Sequence, residues 1–410
     1  MIPSLDDGPY RDNTEESLYE ELVAHRPPPL TPHELRSKLS RLKAAVRLLN
    51  CNGVHLVQEG AMRWLTGLRH SVIDIDPAAE SPVSAVVRFD NTCVRIQIVG
   101  KAFELTRAVP EIKTRFSMCP EIELSYATEV ELPASVLIPR MPEYRSTVLS
   151  AVAPVAPTED DNQIRKTEWL AKLSRLVLSY VLRHASVGTT GWVIRGEVLK
   201  RLSEACVECN EVLVGVSGQE NFLHPVVNDG YRIEAGSFAK VAIGARYYDA
   251  LYSITATAKY GTPLTKYEKR SESAMMAAAL GYASRFRTGT RESDLYAAVH
   301  KVFQDVEDGF QVAAFADSAY YHHLGGPLSA LGNRDYLISK DGRNTIGAYH
   351  MFSINPVHRE TGIKIELQGI TGTDGEEPRI IDEVSEGIPF ENFSTESGKT
   401  VRVPSILTVE

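Results

Sequence analysis

The sequence has few cysteines, no excess of basic residues and no long apolar run. Its five cysteines are odd in number and scattered through 410 residues, so they do not form a disulfide framework. The formal net charge of −9 argues against nucleic acid or an anionic membrane as a partner, because both require basic patches. No apolar stretch approaches the roughly 20 residues that span a bilayer, and the acidic N-terminus is unlike a signal peptide. We therefore expect a cytoplasmic protein that binds neither nucleic acid nor membrane.

Two of the cysteines, Cys206 and Cys209, have the spacing of a zinc knuckle or a redox pair. No second pair accompanies them, and the segment around them has helical character. We therefore expect two ordinary thiols on a helix rather than a metal or redox site.

Two polar segments divide the chain into parts. Residues 1–30 end in a run of three prolines, which cannot be helical, so this segment is predicted to be a flexible N-terminal arm. Residues 156–164 combine proline with an acidic cluster, which is typical of a linker. The prediction is an arm followed by a domain over 31–155 and a domain over 165–410.

Each domain has its own pattern of helices and strands. In the smaller one, a helix with proline at its first position, a short strand and a hairpin around Asp90 and Asn91 predict an α/β domain. The larger one begins with a long helix that carries a wide apolar stripe. Further on, Thr265 with Glu268 three residues later marks another helix start. Long antiparallel-looking strands mixed with helices favour an α+β class.

Short motifs occur along the chain in a fixed order: Leu65-Thr66-Gly67, Asn221-Phe-Leu-His224-Pro225, Val241-Ala-Ile-Gly244, Ser253-Ile-Thr-Ala-Thr257, His323-Leu-Gly-Gly326, Met351-Phe-Ser-Ile-Asn-Pro356 and Gly362-Ile-Lys-Ile-Glu366. Together they resemble the creatinase, aminopeptidase P and prolidase family over about residues 31–410. The resemblance implies the α+β pita-bread fold for the larger domain and a creatinase N-terminal-like fold for the smaller one. It also implies a homodimer, because N-terminal domains of this type commonly complete the partner's site.

The metal-binding motifs of the family are altered in this chain. Peptidases of the family hold two divalent cations with two aspartates, a histidine and two glutamates, because hard cations need anionic oxygen ligands. The matching positions here are Ala242, Ser253, His323, Asn355 and Glu366. Asp249 lies four residues from Ser253, but no shift of register restores a carboxylate at position 242. The resemblance therefore predicts neither a dinuclear metal site nor any other cofactor.

The first functional hypothesis is a metal-independent hydrolase that cleaves a C–N bond. The resemblance to creatinase implies His224 as general acid and base, with His323 and Glu366 orienting substrate or water, since imidazole titrates near neutral pH. The expected substrate is a small amide, a lactam or a modified amino acid. The residues expected to bind it are Ser253, Asn355, Arg246 and Tyr248, with Lys240 as a further candidate for a carboxylate.

Two other functions remain open on the sequence alone. The fold can lose its metals and bind peptides, proteins or small ligands in its cleft, which would make this chain an inactive pseudo-peptidase. It could also be an Xaa-Pro peptidase that keeps a metal centre. Loss of turnover on changing His224 would support the first hypothesis, whereas a cleft that binds ligands but leaves amides and dipeptides intact would support the second.

Overall fold

A computed structural model describes residues 13–70, 80–133, 135–137, 162–219, 224–228, 230–312, 325–328, 337–358, 360–373, 375–381, 388–394 and 400–410. Within these ranges the chain forms two units, and the larger of them has two buried cores. None of the helices in these ranges is both long enough and apolar enough to cross a bilayer.

The smaller unit is a mixed sheet with helices packed against it. The chain begins with α1 (Asn13–Ala24), which packs on the larger unit. The elements of the smaller unit are α2 (Pro32–Leu48), β1 (Gly53–Gln58), α3 (Glu59–Thr66), β2 (Glu80–Phe89), β3 (Val94–Gly100), α4 (Ala102–Phe116), β4 (Ile122–Ala127) and β5 (Val136–Leu137). The strand order is β4-β3-β2-β1-β5, with the predicted β2–β3 hairpin antiparallel. Thr31 caps α2 by accepting a hydrogen bond from the backbone N–H of Glu34 (3.1 Å), as its sequence predicts.

The larger unit contains two four-stranded sheets. Its elements are α5 (Asn162–His184), α6 (Gly191–Glu204), β6 (Glu208–Val216), β7 (Phe238–Tyr247), β8 (Ala250–Tyr260), α7 (Lys266–Ala283), α8 (Glu292–Phe310), β9 (Gly326–Pro327), β10 (Met351–Ile354), β11 (Leu367–Ile370), β12 (Arg379–Ile380), β13 (Phe390–Ser394), β14 (Thr400–Pro404) and β15 (Leu407–Val409). The first sheet has the order β15-β8-β7-β6, and the second has the order β12-β11-β10-β9.

Each of these sheets is covered on its outer face by a pair of helices. Helices α5 and α6 pack on the first sheet, and α7 and α8 pack on the second, so the cores lie outside the sheets. Helix α7 starts with the predicted capping box between Thr265 and Glu268. The two inner faces therefore meet in the middle of the unit. This mixed α/β arrangement is the predicted pita-bread architecture.

The N-terminal segment is attached to the larger unit. Helix α1 packs on α5, where the Tyr19 hydroxyl donates to the backbone oxygen of Arg201 (2.7 Å) and Trp169 Nε1 donates to that of Leu22 (2.8 Å). The backbone oxygens of residues 27–29, which are all proline, accept hydrogen bonds of 2.7–2.9 Å from the side chains of Tyr247, Asn162 and Lys166, respectively. Residues 13–30 thus form a helix and a bonded strap instead of the predicted free arm, because the buried donors of the larger unit need these acceptors.

The cysteine pair is not helical. Cys206 follows the end of α6 with a positive φ of 60°, and Cys209 lies in β6. The Sγ of Cys209 donates to the backbone oxygen of Glu211 (3.2 Å), and burial raises the pKa of this thiol to about 12. All five cysteines are free thiols.

Four buried charges join the two units, and we call them the charge cluster: Glu34 and Lys38 of α2, Lys166 of α5, and Asp249 in the turn between β7 and β8. Each side chain is at most 1% exposed. Lys38 Nζ lies 2.6 Å from Glu34 and 2.8 Å from Asp249, and Lys166 Nζ bonds the same two carboxylates. Two cations and two anions neutralise one another where no water can screen them.

The pKa of Asp249 follows from this arrangement. Burial alone would raise it, but the ammonium groups of Lys166 and Lys38 outweigh burial and hold the pKa of Asp249 well below its usual range. The same pairing raises the pKa of Lys166 against the effect of its own burial, with Asp249 contributing most. Asp249 and Lys166 therefore both keep their charges near neutral pH.

A second ionic contact between the units lies at α3. Arg63 donates to Glu59 within α3 (3.0 Å) and to Glu208 at the start of β6 (2.8 Å). The backbone N–H of His70 donates to Glu59 (2.9 Å). Burial lowers the pKa of His70 to about 4, so the imidazole is neutral in the folded protein near pH 7.

Removing one member of the charge cluster should be costly. In Asp249→Asn, Lys38 and Lys166 stay buried with only one carboxylate between them, so we expect a loss of about 3–5 kcal/mol in the free energy of unfolding, measured with urea. The matched control is Lys301→Met, which removes an exposed ion pair with Asp305 and should change stability by less than about 1 kcal/mol. Equal effects of the two substitutions would contradict the role of the cluster.

His70 should make stability fall on the acid side. Its pKa is lower in the folded than in the unfolded chain, so the unfolded state binds the extra proton first and stability is lost as the pH falls from about 6.5 to about 4. Urea unfolding of wild type and His70→Gln at intervals between pH 7 and pH 4 measures this loss as the difference between the two proteins, since buried His350 contributes to both. We expect that difference to be on the order of 2–3 kcal/mol. His70→Gln should flatten the curve in that window, and an unchanged slope would refute the assignment.

Candidate active site between the two sheets

The two four-stranded sheets of the larger unit face each other with polar surfaces. In β7 and β8 alternate residues face either the core or the other sheet, because side chains alternate along a strand. The row that faces inward contains Lys240 and Ala242 of β7 opposite Thr257 and Thr255 of β8, with Ser253 opposite Gly244. The opposite row is apolar and packs under α5.

The second sheet presents a matching polar row. Ser353 of β10 is paired with Gln368 of β11, and the same register continued past the strand ends places Asn355 opposite Glu366. Residues on the other side of these strands, such as Phe352 and Leu367, belong to the core under α7. Hydrogen bonds then join the two polar rows.

Glu366 is the centre of these bonds. It is 4% exposed and accepts hydrogen bonds from the hydroxyl groups of Thr255 (2.7 Å) and Ser353 (3.1 Å). Lys364 Nζ lies 3.4 Å from Glu366 Oε2 and is also buried. Both carboxylate oxygens thus have donors from within the protein. The negative charge of Glu366 is balanced by an ammonium group and not left for a ligand to neutralise.

Gln368 and Lys240 connect the two sheets on either side of Glu366. Gln368 accepts from the backbone N–H of Ser253 (3.0 Å) and donates to the backbone oxygen of Leu251 (2.9 Å). Lys240 Nζ is 2% exposed and donates to the backbone oxygen of Gly362 (3.4 Å). These hydrogen bonds hold the polar row of the first sheet against the polar row of the second.

The register of β7 and β8 shows where the two aspartate positions of the family motif lie. Ala242 lies opposite Thr255, and Ser253 lies opposite Gly244, so both aspartate positions of the family motif are neutral residues that face the cleft. Asp249 lies in the turn and is held in the charge cluster. It is therefore not a displaced cleft ligand.

The donor set around Glu366 does not fit a pair of divalent cations. Ala242 has no donor atom, Ser253 and Asn355 bring no charge, and the one carboxylate already has an ammonium group 3.4 Å away. Among the residues that the structure describes, no three His, Cys, Asp or Glu side chains form a group able to hold a metal ion. His323 lies outside those residues.

Asn355 is the other notable side chain in the cleft. It follows β10 directly and is 4% exposed. Its Oδ1 atom is buried, and no hydrogen-bond donor among the described residues reaches it. Thr257, in the facing row, also has a buried hydroxyl oxygen without a partner in that part of the chain.

Two of the predicted substrate residues lie away from Glu366. Arg246 is buried on the inward row of β7, four residues and about 13 Å along the strand from Ala242, beside Glu208 of β6. Tyr248 lies in the hairpin turn with a positive φ of 55°, its ring 5.6 Å from the Arg115 guanidinium of α4. Asn355, in contrast, lies in the same row as Glu366, and Ser253 lies in the row that faces it.

Neither predicted histidine is among the described partners of Glu366, which are Thr255, Ser353 and Lys364. His323 lies outside the described residues. His224 is exposed, on a segment that Gln219 joins to the end of β6 through the backbone oxygen of Val226 (3.1 Å). Of the motif at 323–326, the structure describes Gly325 and Gly326. Gly325 packs so tightly against the backbone of Ser353 that any Cβ would overlap it, and Gly326 pairs with Ser353. The described end of that motif therefore lies beside β10.

Four residues of the site had no role in the sequence prediction: Thr255 as a donor, Ser353, Lys364 and Gln368. Their signal is the alternation of polar and apolar residues along 253–258, 352–355 and 363–368, which marks a polar inward face. That pattern shows which side of a strand a residue occupies. It does not show which strand lies opposite, so the bonds to Glu366 required the structure.

Comparison with known proteins identifies the fold and the family. The family model "Metallopeptidase family M24" matches residues 166–392, which is more than half of the chain. No curated protein sequence matches. Similar solved structures include an Xaa-Pro dipeptidase from Bacillus anthracis (13% identity, 85% of this chain and 98% of that chain, TM-score 0.62) and a dipeptidase from Mycobacterium ulcerans (14%, 93% and 100%, 0.62). Aminopeptidase P from E. coli is another (11%, 87% and 97%, 0.63). At these identities the structures show the shared fold, and the family match shows that this chain belongs to metallopeptidase family M24.

Proposed function

We propose that this chain is a metal-independent hydrolase that cleaves a C–N bond in a small amide, a lactam or a modified amino acid. The observation that carries the proposal is the environment of Glu366. This carboxylate is bonded to Thr255, Ser353 and Lys364, and the other family carboxylate positions are neutral. The cleft therefore has the architecture of a hydrolase of this family without the anionic oxygens that two divalent cations need.

Hydrolysis of an amide needs a group that activates water and a group that protonates the leaving nitrogen. In this proposal His224 does both in turn: it takes a proton from water during attack and returns it to the nitrogen as the C–N bond breaks. Glu366 holds the hydroxyl hydrogens of Thr255 and Ser353, which leaves the lone pairs of those oxygens available to accept from a substrate N–H.

The second candidate is a binding protein without catalysis. It is favoured by the same contacts of Glu366, since a carboxylate whose oxygens are all engaged has no role as a base. The Xaa-Pro peptidase activity named for the structural relatives is less compatible with this chain, because the residues around Glu366 do not fit a metal centre. The first two candidates differ in turnover, and the third differs in metal content.

Changing His224 should abolish turnover without unfolding the protein. On a panel of amides, lactams and N-acyl amino acids, we expect His224→Ala to lower kcat by about 100-fold or more, the contribution of a general acid or base. The melting temperature should stay the same because the side chain is exposed. His25→Ala, which removes another exposed histidine, is the control and should keep full activity. Wild-type protein that binds members of the panel but cleaves none would favour the binding candidate.

Adding or removing divalent metal ions should not change the turnover of the protein. Protein purified without chelators is expected to hold far less than one divalent ion per chain by elemental mass spectrometry, also after incubation with Mn²⁺, Co²⁺ or Zn²⁺. Treatment with a chelator should leave turnover intact. Two tightly held ions per chain, or activity that returns only with metal, would overturn the proposal in favour of a metallopeptidase.

A further inference from the structure

Asn355 places a hydrogen-bond acceptor in the cleft that the described part of the protein does not use. The side chain is 4% exposed, and its Oδ1 has no donor within reach among the described residues. A buried acceptor that has lost its water without gaining a donor is unfavourable. Such an atom at the inner face of a cleft is therefore a candidate contact for a ligand.

The position of Asn355 adds further acceptors to the same place. It lies opposite Glu366 in the register of the second sheet, and Glu366 bonds Thr255 across the cleft. Thr255 and Ser353 both direct their hydroxyl hydrogens at Glu366, so their remaining capacity is as acceptors. A ligand beside Asn355 would thus meet several oxygen acceptors and would need to supply an N–H or O–H.

Charge decides which kind of donor fits. A guanidinium or ammonium ligand would meet the Lys364 ammonium, which lies 3.4 Å from Glu366, and would find that carboxylate already neutralised. A neutral N–H donor meets the same acceptors without this repulsion.

We propose that Asn355 selects amides that carry an N–H. Its Oδ1 atom accepts a hydrogen bond from the N–H of a primary amide, a secondary amide or a lactam. This inference rests on the proposed metal-free cleft and names its substrate class. A tertiary amide, such as the bond before proline, has no hydrogen to donate and would leave Oδ1 without a partner. The preference would thus be opposite to that of an Xaa-Pro peptidase.

Two lactams that differ by one methyl group test this directly. Saturation-transfer NMR on the full chain would compare 2-pyrrolidone, which has an N–H, with N-methyl-2-pyrrolidone, which does not. We expect wild type to bind 2-pyrrolidone about tenfold more tightly, the effect of one satisfied hydrogen bond. Asn355→Leu, of similar size without an acceptor, should reduce 2-pyrrolidone affinity to that of the methylated compound.

A second variant keeps the test decisive if Asn355→Leu does not fold. Asn355→Asp retains an acceptor and should keep the preference for 2-pyrrolidone, while its added charge should let the cleft bind guanidinium ion, which wild type should not. Equal binding of the two lactams by wild type would overturn the inference, as would an unchanged preference in folded Asn355→Leu.

The outcome is separable from that of the proposed hydrolysis. His224→Ala should keep the lactam preference, because Asn355 and not His224 supplies the acceptor. An Asn355-dependent preference without any turnover would support this inference and refute catalysis. Turnover that is lost in His224→Ala but has the same KM for secondary and tertiary amides would support catalysis and refute the selection by Asn355.

Discussion

The arrangement of the molecule depends on the charge cluster, in which two lysines and two carboxylates compensate one another's charge. Ionised groups with no exposed surface are tolerated only as a complete set, since any one alone would be a buried charge without compensation. The set draws its members from α2 of the smaller unit, from α5 and from the β7–β8 turn. It can form only when these three parts are in their native positions, so it fixes the smaller unit against the sheet that carries half of the cleft.

The turn at Asp249 links this cluster to the chemistry of the cleft. Strand β8 begins at the next residue, and because side chains alternate along a strand, the position of the turn decides which residues face inward. A slip of one residue would turn Ser253 and Thr255 into the core and bring Tyr252 and Ile254 into the cleft. Tyr247 is anchored by the strap of prolines, and Tyr248 lies against Arg115. The strap and the smaller unit together thus hold the register that brings the Thr255 hydroxyl to Glu366.

The sequence predicted well what is determined locally. The Thr265–Glu268 capping box, the Thr31 cap and the β2–β3 hairpin depend on residues close in the chain, and each is present. Helix α1 was missed because it is stabilised by contacts with α5 and α6, far away in sequence. The cysteine pair was placed on a helix because the turn at Cys206, with its positive φ, has no glycine to mark it. In the cleft, the motifs gave the positions that match metal ligands, but the two hydroxyl donors to Glu366 come from other strands.

The neutral residues of the cleft are physically consistent with one another. Carboxylates at positions 242, 253 and 355 beside Glu366 would be several like charges in a buried space, which only bound cations could stabilise. With Ala242, Ser253 and Asn355 in their place, one carboxylate remains, and Lys364 with two hydroxyl groups is enough to balance it. Asn355 keeps the shape and one acceptor oxygen of a carboxylic side chain but loses its charge. In the metal-free cleft that we propose, the same substitution therefore leaves an oxygen suited to a neutral N–H. The loss of one kind of ligand and the preference for another would then have the same cause.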